Sequence, residues 1–282
     1  MIERLVASGV CAVDTSEDVA EPGDLYPAEA ALIANAVDVR RREFTTARWC
    51  ARRALTDLGE RAAPILPGRH GAPGWPAGVL GSITHCAGFR AAAVARTSAV
   101  AALGIDAEPN APVPDGVLDS IAVPGELRHV RELSRVAPRI HWDRLLFSAK
   151  EAVYKTWYPW TGQRLDFADA ELSFALEREE GAGAFTADIR PPRTSSALPP
   201  IRRLDGRWLA ERGLLLCAIT ITASTGSTGS ATSTGSATST ESTGSAAPTG
   251  SAAPATSSGS AAPATSSGSA APGAFQRCSP RS

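Results

Sequence analysis

Apolar and polar residues alternate along residues 1–222 in patterns that predict helices and strands. The segment 27–58 has apolar residues at three- and four-residue steps, which predicts a long helix with at most one break, ending at Gly59. Three short β-like runs come later, VLGSITHCAGF, AAAVAR and VAALGIDAEP. Because only short turns separate these runs, they predict a three-stranded meander.

A second set of elements follows in the same order. Residues 110–140 predict a loop and then a helix that starts near Pro124. Apolar residues at helical spacing recur over 142–157, and Pro159 is expected to end that helix. The runs ELSFALE and GAFTADI, and then GRWLAE and LLLCAITIT, predict two hairpins.

The order of these elements favours an α+β fold made of two halves, residues 1–103 and 104–222, although no clear sequence repeat relates them. From Ala223 onward the composition changes to Ser, Thr, Gly, Ala and Pro, and the stretch AAPATSSGS occurs twice in tandem. A segment of this kind cannot bury a hydrophobic core. Residues 223–282 are therefore predicted to form a disordered tail.

The charge and composition of the chain argue against several classes of protein. A net charge of −1 and a pI near 6.4 provide no overall field that would attract nucleic acid. No apolar run approaches the roughly 20 residues needed to cross a bilayer, and the start lacks the features of a signal peptide. The five cysteines lack the C-x-x-C spacing of a zinc site. We therefore expect a soluble, cytoplasmic protein.

The segment FSAKEAVYKTWYP contains the only two lysines of the chain, Lys150 and Lys155. Arginine supplies the positive charge at every other Lys or Arg position, so lysine at these two positions indicates a specific use. Its compact ammonium suits phosphate oxygens. On the predicted helix Glu151 and Lys155 lie four residues apart on one face, with Lys150 beside them. A surface ion pair would have the same spacing, so both interpretations stay open.

Asp106 and Glu108 end the third β-like run, and on a strand their carboxylates project from the same face. Like charges at this separation repel each other unless a cation lies between them, and carboxylate oxygens are typical ligands of Mg²⁺. A surface turn would contain the same residues. Combined with Glu151, His85 and the lysines, however, the pair predicts a site for Mg²⁺ and phosphate of the kind that phosphoryl transfer needs.

Arginines cover one face of the predicted helix over 27–58. Arg40 and Arg48 lie about two turns apart, so they can share one side and meet an anion. The others are interpreted as a solvated surface: Arg41, Arg42, Arg52 and Arg53. A lone histidine on a strand, such as His85, is in general more often structural than functional, and the neighbouring motifs favour a functional role here.

The pattern G-I-D-x-E-P, followed later by F-x-x-K-E-A-x-Y-K, resembles the 4′-phosphopantetheinyl transferase family in its large, two-halved branch. Three further stretches are most similar to the actinobacterial enzymes of that branch: S-I-T-H-C-A-G-F, H-W-D-R-L-L-F-S-A-K-E-A-V-Y-K and R-R-x-E-F-x-x-A-R. The resemblance spans residues 37–222, and the tail lies outside it.

The resemblance implies a monomer built as a pseudo-dimer of two similar α+β halves, with coenzyme A and Mg²⁺ in the cleft between them. It implies an enzyme that transfers the 4′-phosphopantetheine moiety of coenzyme A to a serine of an apo carrier protein and releases adenosine 3′,5′-bisphosphate. The partners would be acyl, peptidyl or aryl carrier proteins. Such carriers serve fatty acid, polyketide, nonribosomal peptide and siderophore biosynthesis.

The resemblance also assigns roles to residues in the second half. Asp106 and Glu108 would bind the metal, and Asp106 would also face coenzyme A. Glu151 would be either the third metal ligand or the general base that takes the serine proton, and this choice stays open. Lys150 and Lys155 would hold the pyrophosphate, and Lys155 would act with Glu151 in catalysis.

In the first half, the resemblance implies a second group of coenzyme A ligands. His85, with Thr84, would contact a phosphate, and Arg40 and Arg48 would reach the 3′-phosphate. The loop before G-x-P departs from related sequences, which often place a lysine there, because this chain has Pro67. Two nearby side chains are weaker candidates for the adenine end: Arg69 and His70.

Two other functions agree with part of the pattern. A Mg²⁺-dependent hydrolase of a nucleotide diphosphate would need the same carboxylates and lysines, with water as the nucleophile. A non-catalytic relative would bind coenzyme A or a carrier protein without transfer. Mass spectrometry of a carrier protein incubated with coenzyme A separates the transferase from both, because a phosphopantetheine adduct appears only with the transferase.

Overall fold

The strands form two antiparallel sheets in this computed structural model, which describes residues 1–177, 181–190 and 202–223. The strands are β1 Val10–Thr15, β2 Val79–Cys86, β3 Phe89–Arg96, β4 Val100–Pro109, β5 Ala170–Leu176, β6 Ala182–Ile189, β7 Arg203–Glu211 and β8 Leu214–Thr222. One sheet has the order β1-β3-β2 and the other β4-β8-β7-β6-β5. Residues 224–282 of the predicted tail lie outside the described residues.

Five α-helices accompany the sheets within the described residues. They are α1 Pro27–Leu32, α2 Asp38–Asp57, α3 Val117–Ile121, α4 Pro124–Val136 and α5 Trp142–Thr161. The predicted α+β class is confirmed, and the long first helix is broken between α1 and α2. The expectation that Pro159 ends α5 is wrong, because the helix continues past it to Gly162, which has a left-handed φ of 69°.

The prediction of a three-stranded meander is wrong for its third strand, β4. β2 and β3 pair as expected, but β4 pairs with β8, with Asp106 opposite Cys217. β4 is buried on both faces over most of its length, so it fits beside the apolar run of β8 rather than at the edge of a small sheet. β4 crosses the predicted boundary between residues 103 and 104, and the division into two halves stays a prediction.

Side-chain hydroxyl groups connect the two sheets where β2 runs beside β4. The Oγ of Ser82 accepts a hydrogen bond from the Ile105 amide at 3.1 Å, and the Oγ1 of Thr84 accepts one from the Ala107 amide, also at 3.1 Å. Buried amides need such partners, and these two hydroxyls replace a backbone ladder. As a result, the end of β2 lies next to the carboxylates of β4.

A glycine allows α5 to lie close against β4. A Cβ atom on Gly104 would lie 2.2 Å from the Thr156 Oγ1 and 2.4 Å from the Ala152 carbonyl oxygen. Only a residue without a side chain therefore permits this approach. The close packing brings the face of α5 that contains Lys155 to the carboxylates of β4.

Buried glutamates occupy equivalent positions at the starts of α1 and α4. Glu29 at the start of α1 accepts hydrogen bonds from Arg52 of α2 and from the Ile65 amide, at 2.9 and 2.8 Å. Glu126 at the start of α4 receives Lys150 of α5 at 2.9 Å and the Leu172 amide at 2.7 Å.

Both glutamates follow a proline at the first helical position and are almost completely buried. Each satisfies a backbone amide outside its own helix and pairs with a cation of the neighbouring helix. The pattern X-Pro-x-Glu is thus a short internal repeat, although no longer sequence repeat accompanies it.

Candidate active site

Asp106 is the most buried carboxylate of the predicted site. Its Oδ1 accepts hydrogen bonds from Lys155 Nζ at 2.6 Å and from Thr84 Oγ1 at 3.3 Å. Its Oδ2 is buried and has no hydrogen-bond partner among the described residues. A buried carboxylate oxygen without a partner is costly, so this atom is available to a ligand.

Glu108 is held by an arginine that the sequence analysis did not single out. Arg144 of α5 donates from Nη1 to Glu108 Oε2 at 3.0 Å and also donates to the carbonyl groups of Ala111 and Pro112. Burial, and next the charge of Asp106, raise the pKa of Glu108 to about 7 although Arg144 opposes the shift. Glu108 is therefore anchored at one oxygen and weakly acidic.

Glu151 and Lys155 face this pair from α5. Burial, and next the charge of Asp106, raise the pKa of Glu151 to about 7 although Lys155 opposes the shift. Burial disfavours the charged form of Lys155, but Asp106 and Glu151 outweigh this and raise its pKa above the ordinary value. The cluster therefore has three carboxyl groups around one firmly charged ammonium.

The donor set of this cluster fits a hard divalent cation. Carboxylate oxygens are the ligands that Mg²⁺ prefers, the Asp106 Oδ2 is free, and mutual repulsion contributes to the raised pKa values of Glu108 and Glu151. In the described part of the chain, however, no three His, Cys, Asp or Glu side chains converge closely enough to form a metal-binding group. A metal would have to draw the predicted ligands together.

The basic residues of the first half form a second group. Arg40 Nη1 lies 2.5 Å from His85 Nε2, and Glu43 Oε2 lies 3.4 Å from His85 Nδ1. Burial, and next the charge of Arg40, lower the pKa of His85 to about 3, so the imidazole is neutral. Glu43 was missed in the sequence, where its signal is the glutamate of R-R-x-E-F, three residues after Arg40.

Arg48 lies on the same side of α2 as Arg40. Its guanidinium lies 3.6 Å from the centre of the Phe44 ring, and its buried Nε has no hydrogen-bond partner among the described residues. Burial lowers the pKa of Arg48 to about 10, and the charges of Arg40 and Arg52 add to the effect while Glu29 opposes it. Cations that repel one another in this way are suited to receive an anion.

Lys150 is not brought to this site. Its Nζ lies 2.9 Å from Glu126 and donates to the carbonyl groups of Phe167 and Ala170 at 2.6 and 2.8 Å. All three ammonium hydrogens therefore have partners inside the protein, and the side chain is almost completely buried. The expectation that Lys150 holds pyrophosphate is corrected: it joins α4, α5 and the start of β5.

The loop before β2 brings one of the two weaker candidates towards α5. His70 has a positive φ of 53°, and its ring packs edge-on against Tyr158 with the ring centres 5.2 Å apart. Pro67 and Pro73 form an isolated bridge that closes this loop, and Arg69 is exposed.

No described helix is long and apolar enough to span a bilayer.

The fold and the site define a two-sheet α+β protein with an acidic cluster beside a group of arginines. Two family models match the chain, the 4′-phosphopantetheinyl transferase N-terminal domain over residues 28–95 and the 4′-phosphopantetheinyl transferase superfamily over residues 102–193. The chain belongs to the 4′-phosphopantetheinyl transferase family and is a transferase. The two family models match consecutive parts of the chain, and this arrangement fits a pseudo-dimer.

Several curated relatives support this membership. The 4′-phosphopantetheinyl transferase Svp of Streptomyces mobaraensis is 51% identical over 203 residues, which cover 72% of this chain and 81% of the relative. PptT of Mycobacterium tuberculosis is 48% identical over 196 residues, 69% and 85% of the two chains. Npt of Nocardia iowensis is 45% identical over 225 residues, 78% and 99%. The predicted family and its actinobacterial type are confirmed.

Proposed function

We propose that this transferase moves the 4′-phosphopantetheine moiety of coenzyme A to a serine of an apo carrier protein, with Mg²⁺, and releases adenosine 3′,5′-bisphosphate. The observation that supports it best is the cluster of Asp106, Glu151 and Lys155 next to the histidine and arginines of the first half. Acyl, peptidyl and aryl carriers are the proposed partners. We expect the chain to act as a cytoplasmic monomer.

Coenzyme A offers three phosphates, and the proposed site has cations for them. Arg40 and Arg48 would receive the 3′-phosphate, and His85 would contact a neighbouring phosphate oxygen. Lys155 would neutralise the pyrophosphate from α5. Thr84 would have a different role. Its hydroxyl accepts a hydrogen bond from the Ala107 amide and donates one to Asp106, so it would orient that carboxylate.

The proposed metal ligands are Asp106, Glu108 and Glu151, whose carboxylates fit a hard cation. When bound, Mg²⁺ would neutralise the negative charge of the pyrophosphate oxygens. Arg144 would keep hold of one Glu108 oxygen and leave the other for the metal.

The chain's own residues would then handle the proton. The serine oxygen forms a bond to the β-phosphorus of coenzyme A while the bond from that phosphorus to the bridging oxygen breaks, and the serine proton goes to a base. Glu151, with a pKa of about 7, suits a base near neutral pH. Lys155 would stabilise the charge on the departing phosphate. Glu151 is proposed as this base or as the third metal ligand.

The test is the mass of an apo carrier protein after incubation with coenzyme A, Mg²⁺ and this protein. We expect a gain of one phosphopantetheine with the wild type and a loss of at least about 100-fold in rate for Glu151→Gln, which keeps the shape but not the charge. Glu132→Gln, a change at an exposed position of α4, is the matched control and should transfer normally.

Other outcomes separate the alternative functions. Cleaved coenzyme A without a modified carrier would favour the nucleotide diphosphate hydrolase. Tight coenzyme A binding with neither product would favour the non-catalytic relative. Transfer that persists in Glu151→Gln would keep the function but exclude Glu151 as an essential base or ligand.

A further inference from the structure

His85 is held between two oppositely charged side chains of α2. Arg40 approaches its Nε2 at 2.5 Å, and Glu43 lies 3.4 Å from its Nδ1. A guanidinium can only donate, so Nε2 accepts and the neutral ring bears its hydrogen on Nδ1, within reach of the Glu43 carboxylate. In this state His85 has no N–H to offer a phosphate.

A phosphate at this position would compete for Arg40. A guanidinium gains more from a doubly charged phosphate, which it can contact with two N–H groups, than from a neutral imidazole. The Arg40 side chain is partly exposed and can turn towards such a ligand. Nε2 would then face the phosphate with a lone pair, which is unfavourable unless the ring gains a proton.

We propose that Glu43 is a positioning residue for substrate binding, and that His85 takes up one proton when a phosphate of the substrate draws Arg40 away. The proton comes from solvent and binds at Nε2, which then donates to the phosphate oxygen. Nδ1–H keeps its contact with Glu43, which stabilises the imidazolium. The inference rests on the proposed function, because it needs a phosphate-bearing substrate at Arg40 and His85.

The charges around His85 explain why the change waits for the ligand. Burial disfavours the imidazolium most, and cations from three elements add to this effect: Arg40 and Arg48 of α2, Arg90 of β3 and Lys155 of α5. Against these, Glu43 is the carboxylate within ion-pair distance, so the free imidazole stays neutral. A bound phosphate adds negative charge and reverses this balance.

The experiment is calorimetry of coenzyme A binding near neutral pH in buffers that differ in ionisation enthalpy, which counts the protons exchanged. We expect the wild type to take up about one proton more per coenzyme A than His85→Gln. The subtraction removes protons that the phosphates themselves release. Glu43→Gln should lose most of that difference and bind about tenfold more weakly, while Glu43→Asp should recover part of both.

Glu60→Gln is the matched control. Glu60 pairs with Arg96 at the opposite end of β3, so its replacement should leave proton uptake and affinity at wild-type values. A spectroscopic check uses the imidazole nitrogens, because the chain has only four histidines. The Nε2 resonance that disappears in His85→Gln should change from unprotonated to protonated when coenzyme A is added to the wild type.

The outcomes separate this inference from the function it rests on. Carrier modification with equal proton uptake in the wild type, His85→Gln and Glu43→Gln would overturn the inference alone. An Nε2 that stays unprotonated in the complex would do the same. Neither coenzyme A binding nor carrier modification by the wild type would overturn the proposed function, and the inference with it.

Discussion

Lys150 and Lys155 lie on one helix and have opposite surroundings. Lys150 is buried against Glu126 and two carbonyl groups, whereas Lys155 contacts Asp106 at the site and keeps part of its side chain in solvent. The α-helical rotation of about 100° per residue separates positions five apart by about 140°, so the two side chains belong to different faces. Two lysines of one motif can thus have different roles: Lys150 is structural, and Lys155 is the lysine that we propose as a phosphate ligand.

This difference predicts opposite mutational effects. Lys150→Met should lower the free energy of unfolding by about 3–5 kcal/mol, because it leaves the buried Glu126 carboxylate without its cation. The folded fraction should still bind coenzyme A with wild-type affinity. Lys155→Met should weaken that binding by at least about tenfold. Urea denaturation and calorimetry measure the two effects, and weakened coenzyme A binding by folded Lys150→Met would restore Lys150 as a phosphate ligand.

The lowered pKa of His85 predicts that the free energy of unfolding depends on pH. The pKa of His85 is about 3 in the folded protein against 6.5 ordinarily, so the unfolded chain binds the proton first as the pH falls. The stability that neutral His85 contributes is complete above pH 6.5 and is lost progressively towards pH 3. Between pH 7 and pH 5, urea denaturation should show a larger loss for the wild type than for His85→Gln. Equal losses of stability in the two proteins would contradict the lowered pKa of His85.

At the scale of elements, the site depends on how closely three of them approach. β2 reaches β4 through the hydroxyls of Ser82 and Thr84, and α5 reaches β4 over Gly104. The side chains of the proposed site therefore lie on regular secondary structure rather than on loops. Their spacing is set by backbone contacts, which are stiffer than side-chain contacts.

Gly104→Ala should disturb this spacing. The new methyl group would overlap the backbone of α5, so we expect a loss of about 1–3 kcal/mol in the free energy of unfolding and a fall in transfer rate. Gly23→Ala is the control, because its methyl would meet no atom within 4 Å and its φ is not positive. Normal activity and stability of Gly104→Ala would mean that α5 need not lie this close.

At the scale of the whole molecule, the described residues belong to one compact unit. Its last described residue is held in place, because the Ala223 amide donates to the Ala99 carbonyl at 2.9 Å, next to the start of β4. The folded part of the chain therefore extends at least to residue 223. The remaining 59 residues, 224–282, contain little that could form a core.

We hypothesise that this remaining segment is an inert spacer. A chain truncated after Ala223 should keep the melting temperature and the carrier-modification rate of the full chain, because the Ala99 bond is retained. A second truncation after Thr222 tests that bond and should melt slightly lower. A large loss of rate in the first truncation would refute the hypothesis.

The sequence by itself determined most of the helices and strands, because their periodicities are local, although it did not predict β1. It also identified the family, because the spacing of acidic and basic residues in the motifs is specific. It also predicted that Asp106, Glu151 and Lys155 belong together. Tertiary structure alone decided the partner of β4, since strand pairing at long range leaves no local pattern. It also decided that Lys150 faces the core and that Glu43 lies beside His85, because the sequence pattern of a charged residue on a helix is the same whether it meets solvent, a buried partner or a neighbouring histidine.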